Sequence, residues 1–145
     1  MSKPPRFDGA SSAIIPNSLA GLTEGLEWLG RWLKSHAVAS SADDRAHLVF
    51  EEVVTNIIRY GFSDSREHPI KIAARMDAED MVLTFDDDGR PFDPREAPEY
   101  AHTNVLEKAP IGGRGLLLVR RAARKLDYVR TDEGRNLLTV TLARG

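Results

Sequence analysis

The sequence predicts an α+β fold: a two-layer α/β sandwich with a mixed, mostly antiparallel sheet and its helices on one face. Three observations predict it. Apolar residues recur at helical spacing in three segments. Four short runs rich in β-branched and aromatic residues pair off around tight acidic turns, as antiparallel strands do. The order along the chain, β-α-α-β-β-lid-α-β-β, shows no internal repeat and no domain linker. At 145 residues the chain can build one domain with a real core, and 41% hydrophobic with 29% charged residues is ordinary for a globular protein.

The elements follow in order. Residues 1–11, polar and carrying Pro4 and Pro5, read as a flexible N-terminal arm that leaves 12–145 as a single domain. Ala13-Ile14-Ile15 forms a short strand. Pro16 and Asn17 then open a helix reaching about His36, with Leu19, Leu22, Leu26, Leu29 and Leu33 as one apolar stripe. Trp28 and Trp32 stand four apart on it; such aromatics favour interfaces, although the core is the simpler home for at least one. Ser40 to Asp44 caps a second helix over about 43–60, which Gly61 ends. Strands near 70–76 and 81–86 join through Asp77-Ala78-Glu79-Asp80. From Gly89 to Gly112 the chain is rich in proline and charge and only weakly periodic, and unstructured connections this long are commonly functional lids. A third helix follows Gly115 to about Lys125. Strands near 127–131 and 136–142, joined at Asp132-Glu133-Gly134-Arg135, close the chain.

Composition excludes several function classes. A formal net charge of −2 offers no broad basic surface for nucleic acid. The absence of cysteine removes disulfides, thiolate zinc sites and cysteine nucleophiles together. No apolar run approaches the roughly 18 residues that span a bilayer. The N-terminus lacks the apolar core of a secretion signal, so a cytoplasmic protein without membrane attachment is expected. His36, His47, His68 and His102 show no metal-ligand spacing.

Three segments carry chemistry. In Phe50-Glu51-Glu52-Val53-Val54-Thr55-Asn56-Ile57-Ile58-Arg59-Tyr60-Gly61, at roughly 100° per residue, the apolar face centres between Val53 and Ile57. Glu52, Asn56 and Arg59 share one flank of that face while Glu51 points to solvent. An acid, an amide oxygen and a cation on the border of a buried surface could hold a metal and a phosphate. Taken alone, the simpler account is an ordinary amphipathic helix. Next, Phe85-Asp86-Asp87-Asp88-Gly89-Arg90-Pro91-Phe92-Asp93-Pro94 ends a strand in acids and turns through Gly89. Calcium-loop spacing fails there, because Thr84 and Arg95 stand where acids are needed. What remains is a solvated turn or an inward carboxylate that accepts from a ligand amine, such as adenine's, and rejects a guanine carbonyl. Finally, Ile111-Gly112-Gly113-Arg114-Gly115-Leu116 opens a helix, where backbone amides and the helix dipole favour an anion and Arg114 adds charge. It is not a P-loop, and the signature elements of ordinary protein kinases are absent.

Together, in this order, the three segments resemble the N, G1 and G2 boxes of the GHKL ATPases, the group of gyrase, Hsp90, histidine kinases and MutL. The Glu-Val-Val-Thr-Asn-Ile-Ile-Arg-Tyr-Gly, Asp-Asp-Gly-Arg-Pro-Phe-Asp-Pro and Gly-Gly-Arg-Gly-Leu runs are most similar to the small anti-sigma-factor serine/threonine kinases. The resemblance covers about residues 12–142, and the length leaves no room for a histidine kinase's dimerisation helices.

The resemblance implies a Bergerat-type ATP-binding fold with ATP and Mg²⁺ as cofactors. It makes Asn56 the Mg²⁺ ligand, Glu52 the general base, and Arg59 a phosphate contact. It makes Asp87 the adenine-binding acid, with Gly89 permitting the turn beside it. Gly113, Arg114 and Gly115 would line the phosphates under a lid at about 93–111. Tyr60 stands where many relatives carry histidine, and Thr139 is a candidate for the threonine that often supports the adenine-binding Asp. The implied function is to sequester a sigma factor and to phosphorylate a Ser/Thr of a STAS-type anti-anti-sigma antagonist. The alternative is a nucleotide-gated binding module without phosphotransfer. Homodimers are common among such proteins.

Overall fold

The computed structural model describes residues 11–96 and 111–145. Most of the expected arm and most of the expected lid lie outside these residues. Five strands form one sheet: β1 (Ser11–Pro16), β2 (Pro69–Met76), β3 (Asp80–Asp87), β4 (Lys125–Arg130) and β5 (Asn136–Ala143), in the order β1-β2-β3-β5-β4. All four pairings are antiparallel. The sheet is therefore wholly antiparallel where a mixed one was expected. Two of the pairings are hairpins, and two helices rather than one lie between β1 and β2, returning the chain to the end it left.

Three helices, α1 (Leu19–Ser35), α2 (Ser40–Tyr60) and α3 (Ile111–Ala122), cover one face of the sheet. Ser18 caps α1 by accepting the Gly21 N–H at 3.1 Å. The stretch from Ser40 to Asp44, expected as a cap, is instead the first turn of α2, and Ala39 before it makes no side-chain cap. The third helix begins earlier than its glycines suggest, so Gly112 to Gly115 form its first turn. Burial of Leu116, Leu117 and Val119 sets this helix, overriding the poor helix propensity of glycine. It stops before Lys125, which already pairs with Thr141 in the sheet.

The core follows period 2 on the strands. Ile70, Ile72, Ala74 and Met76 of β2, Met81, Leu83 and Phe85 of β3, and Leu138, Val140 and Leu142 of β5 face the helices. Leu29, Trp32 and Leu33 of α1 and Val49, Phe50, Val53 and Val54 of α2 meet them. Trp32 is buried and Trp28 packs half-buried against the core, its ring 6.4 Å from that of Phe50. Leu19 breaks the expected stripe at 74% exposed. The contact seam of α1 also includes Gly21 and Gly25, where a methyl group would overlap the Pro16 carbonyl oxygen and stand 2.6 Å from Phe50 Cζ. The rest of the stripe holds: Leu29 and Leu33 are buried, and Leu22 and Leu26 pack partly buried against the core. Among the described residues no helix is long and apolar enough to cross a membrane.

Candidate functional site

The second helix carries the first group of polar residues. Its inward face is apolar, and Glu52 and Asn56, one turn apart, lie half-buried on the border while Glu51 is exposed. The end of α2 is tied to the turn after β3, because the Gly61 carbonyl accepts the Arg90 N–H at 2.8 Å. That approach requires Gly89. A Cβ there would stand 2.7 Å from the Gly61 oxygen and 2.8 Å from Asp87 Oδ1.

The sheet carries the second group. The inward row of β3, Met81-Leu83-Phe85, ends in Asp87, and the inward row of β5 begins at Asn136, its register partner. At 4% and 7% exposed, these two are the buried polar or charged side chains among the described residues. Buried polar groups persist only when satisfied. Asp87 Oδ1 accepts the Gly89 N–H at 2.8 Å and Asn136 Nδ2 at 3.1 Å. Asn136 also donates to the carbonyls of Gly89 (3.2 Å) and Arg90 (2.9 Å). Its Oδ1 accepts from the Tyr128 hydroxyl and from Arg130 Nη1. The carboxyl of Asp87 is held above the usual range chiefly by burial, with the Asn136 and Gly89 donors pulling it back and Asp88 and Asp86 adding repulsion.

The neighbouring acids have other fates. Asp86 sits on the opposite face of the sheet, 2.6 Å from Arg135 Nε. Exposed Asp88 faces His68. Strand alternation thus singles out Asp87 of the three.

Between α2 and this end of the sheet lies an open cleft of about 490 Å³, counting the solvent space at its mouth. Val53, Ile57, Leu116 and Leu138 give it apolar walls; Asn56, Asp87, Arg90 and Asn136 supply polar atoms. Tyr60 and Phe92, both partly exposed, stand at its edge, and the Phe92 N–H donates to the Tyr128 hydroxyl at 3.3 Å. A mostly apolar lining with a few polar groups suits a heterocyclic base.

Glu52 lies against the first turn of α3. A methyl group on Gly115 would overlap its Oε2, so this carboxyl occupies the space a side chain would fill. Burial, then repulsion from Glu51, raises its pKa, and Arg59 opposes the rise. Arg59 itself is exposed on the last turn of α2 and is not part of the cleft wall. Gly113 and Arg114 belong to the first turn of α3, described for their backbone alone.

The structure thus brings Asn56 and Asp87 to one cleft, with Gly89 in the turn against Asp87, and sets Glu52 against Gly115. One expectation needs correction. Thr139 does not support Asp87: it pairs with Thr84, whose side chain points to the opposite face of the sheet from Asp87. Period 2 separates position 139 from position 136, and the amide of Asn136 holds the carboxylate instead. Asn136, Tyr128, Arg130 and Arg90 were missed by sequence reasoning. A signal existed for the first of them, since Asn136 opens the inward row Asn136-Leu138-Val140-Leu142 as a lone polar residue. Among the described residues no cluster of three or more His, Asp or Glu could hold a metal.

Comparison with known proteins identifies the family. A serine/threonine-protein kinase, BtrW of Bordetella bronchiseptica, is 29% identical over 119 residues, covering 82% of this chain and 83% of that protein. A chain of the SiaB–SiaC complex from Pseudomonas aeruginosa shares the fold, with a TM-score of 0.57 at 16% identity over 92% of this chain and 89% of that one. The profile of the histidine kinase-like ATPase domain matches residues 15–142, from the end of β1 into β5. This chain belongs to the histidine kinase-like ATPase domain family.

Proposed function

We propose that the chain is an ATP-dependent protein serine/threonine kinase of the anti-sigma-factor type. Its substrate would be a Ser/Thr hydroxyl on a STAS-type partner, and it would also sequester a sigma factor. The observation that carries the reading is Glu52: a half-buried carboxyl with raised proton affinity, pressed against Gly115 and one helical turn from Asn56. A domain that only binds nucleotide has no use for a base there. The similarity to BtrW, a serine/threonine kinase by name, supports the same reading.

In this mechanism Asp87 accepts the adenine amino group and the apolar walls of the cleft hold the ring. Amides in the first turn of α3, around Gly113 to Gly115, receive the phosphates, where a helix start favours anions. Arg114 and Arg59 add positive charge there. Mg²⁺ fits this donor set: the Asn56 amide oxygen offers one hard ligand, and Mg²⁺ commonly takes one or two protein oxygens besides phosphate and water. When bound it neutralises charge on the transferring phosphate. Glu52 accepts the hydroxyl proton as the oxygen bonds to the γ-phosphorus; the bond from that phosphorus to the β,γ-bridging oxygen breaks, and ADP leaves.

Removing the base tests this. Incubated with γ-labelled ATP, Mg²⁺ and a candidate STAS partner, the wild-type protein should label the partner. Glu52→Gln should lower labelling by about 100-fold or more, within the range for a lost general base, while ATP binding stays near wild type. Labelling that survives in Glu52→Gln contradicts the assignment of the base. Tight ATP binding with no labelling of any partner favours the nucleotide-gated module.

A further inference from the structure

We propose that Asn136, locked in one amide orientation by Tyr128 and Arg130, is the positioning residue that makes Asp87 offer a single acceptor oxygen to the purine and so sets adenine over guanine. This rests on the reading of the cleft as an ATP site.

The chemistry of its neighbours fixes the amide. A guanidinium can only donate, so the Asn136 atom 3.2 Å from Arg130 Nη1 must be oxygen. The Tyr128 hydroxyl already accepts from Phe92 N–H, which directs its own hydrogen to the same Asn136 oxygen. On the other side, Nδ2 meets only acceptors: Asp87 Oδ1, the Gly89 carbonyl and the Arg90 carbonyl. Flipping the amide would set oxygen against three acceptors and NH₂ against two donors. One orientation survives.

That orientation decides what Asp87 presents. With Gly89 N–H and Asn136 Nδ2 both on Oδ1, the carboxylate plane is set, and Oδ2 takes no hydrogen bond from any described residue. The open oxygen is an acceptor, matched to adenine's exocyclic amine and opposed to guanine's carbonyl at the equivalent point. Without Asn136, a carboxyl only 4% exposed loses a donor, and burial then favours the neutral acid. A protonated Oδ2 would donate, and the guanine carbonyl would become acceptable. The other charged groups near Asp87 are already engaged or off the purine edge. Asp86 is held by Arg135 and Asp88 by His68; Arg130 serves Asn136 and the Gly89 carbonyl at 2.7 Å; Arg90 lines the wall; α2 contributes neutral Asn56 and Tyr60.

Titration calorimetry with ATP and with GTP, at pH 8 and pH 6, on the wild-type protein, Asn136→Leu and Tyr128→Phe tests the proposal. In Asn136→Leu, ATP affinity should fall by roughly 10- to 100-fold, GTP affinity much less, and the ATP:GTP ratio should narrow further at pH 6 than at pH 8. Tyr128→Phe removes one hydroxyl from a half-buried ring and should move the ratio the same way by a smaller factor. A ratio unchanged in both variants overturns the proposal, even if ATP binds more weakly, because general loosening would weaken both nucleotides alike. If Asn136→Leu fails to fold, an unchanged ratio in Tyr128→Phe overturns it alone. A wild-type protein that binds neither nucleotide overturns the ATP reading beneath it, and is distinguished from the other results by the wild-type titration.

Discussion

Glu52 is held where it is by an absence. Gly115 offers no side chain, and the carboxyl of Glu52 fills the space. Gly115→Ala should therefore push the carboxyl aside, and phosphotransfer should fall by about 10-fold or more, since small misplacements of catalytic groups are expensive. ATP affinity should change far less, which a binding titration beside the labelling assay would separate. The raised proton affinity of Glu52 also predicts a pH profile. A base works unprotonated, so activity should be lost as pH falls through its folded-state pKa, above the ordinary carboxylate value. Glu51→Gln removes a repelling neighbour and should shift that acidic limb to lower pH. At the same scale, choosing Asp87 from three consecutive aspartates was legible in the sequence, because it matches the family motif and continues the inward row of β3. The support for it was not legible, since Asn136 lies 49 positions away and only strand register brings the two together.

At the scale of elements, the two helix ends and the two hairpins were readable because each carries a local signal: periodicity, a turn, a glycine stop. The close approach of α1 was not. Leucine spacing placed the stripe, and Leu22, Leu26, Leu29 and Leu33 pack inward, but it announced neither the contact at Gly21 and Gly25 nor the exposure of Leu19. Gly21→Ala gives a measure of this. Alanine gains about 1 kcal/mol of helix propensity over glycine, yet the overlap is with the backbone carbonyl of Pro16, which has no rotamer to yield. Overpacking of this kind costs about 1–3 kcal/mol, so the variant should be less stable in denaturant unfolding. The link from α2 to β2 has its own pH signature. His68 Nε2 lies 2.8 Å from Asp64 Oδ1, its ring stacks on Phe62, and its Nδ1 faces Asp88. Bonding to Asp64 raises the His68 pKa above 6.5, and bonding to His68 lowers that of Asp64 below 3.8. The histidine contribution is full below 6.5 and is lost as pH rises through its folded value; the aspartate contribution is full above 3.8 and is lost as pH falls through its own. The melting-temperature gap between wild type and His68→Gln should thus be widest between those limits and shrink as pH rises through the folded value of His68.

The whole molecule explains why the cleft lies where it does. The sheet buries one face under three helices, and its inner surface is apolar until the strand ends, where Asp87 and Asn136 meet. There α2 ends at Gly61 and turns back on Gly89, leaving a gap that neither layer fills. A ligand bound there bridges both layers and should stabilise the fold as a unit. At 100 times its dissociation constant that amounts to about 2.7 kcal/mol, a rise of roughly 5–10 °C in melting temperature for a domain of this size. The most direct test of the central claim, that this cleft holds ATP through Asp87, is a calorimetric titration of Mg-ATP into the wild-type protein and Asp87→Asn. Wild type should bind at one site, and the variant, still folded, should bind roughly 10- to 100-fold more weakly. No binding by wild type, or equal binding by both proteins, contradicts the account.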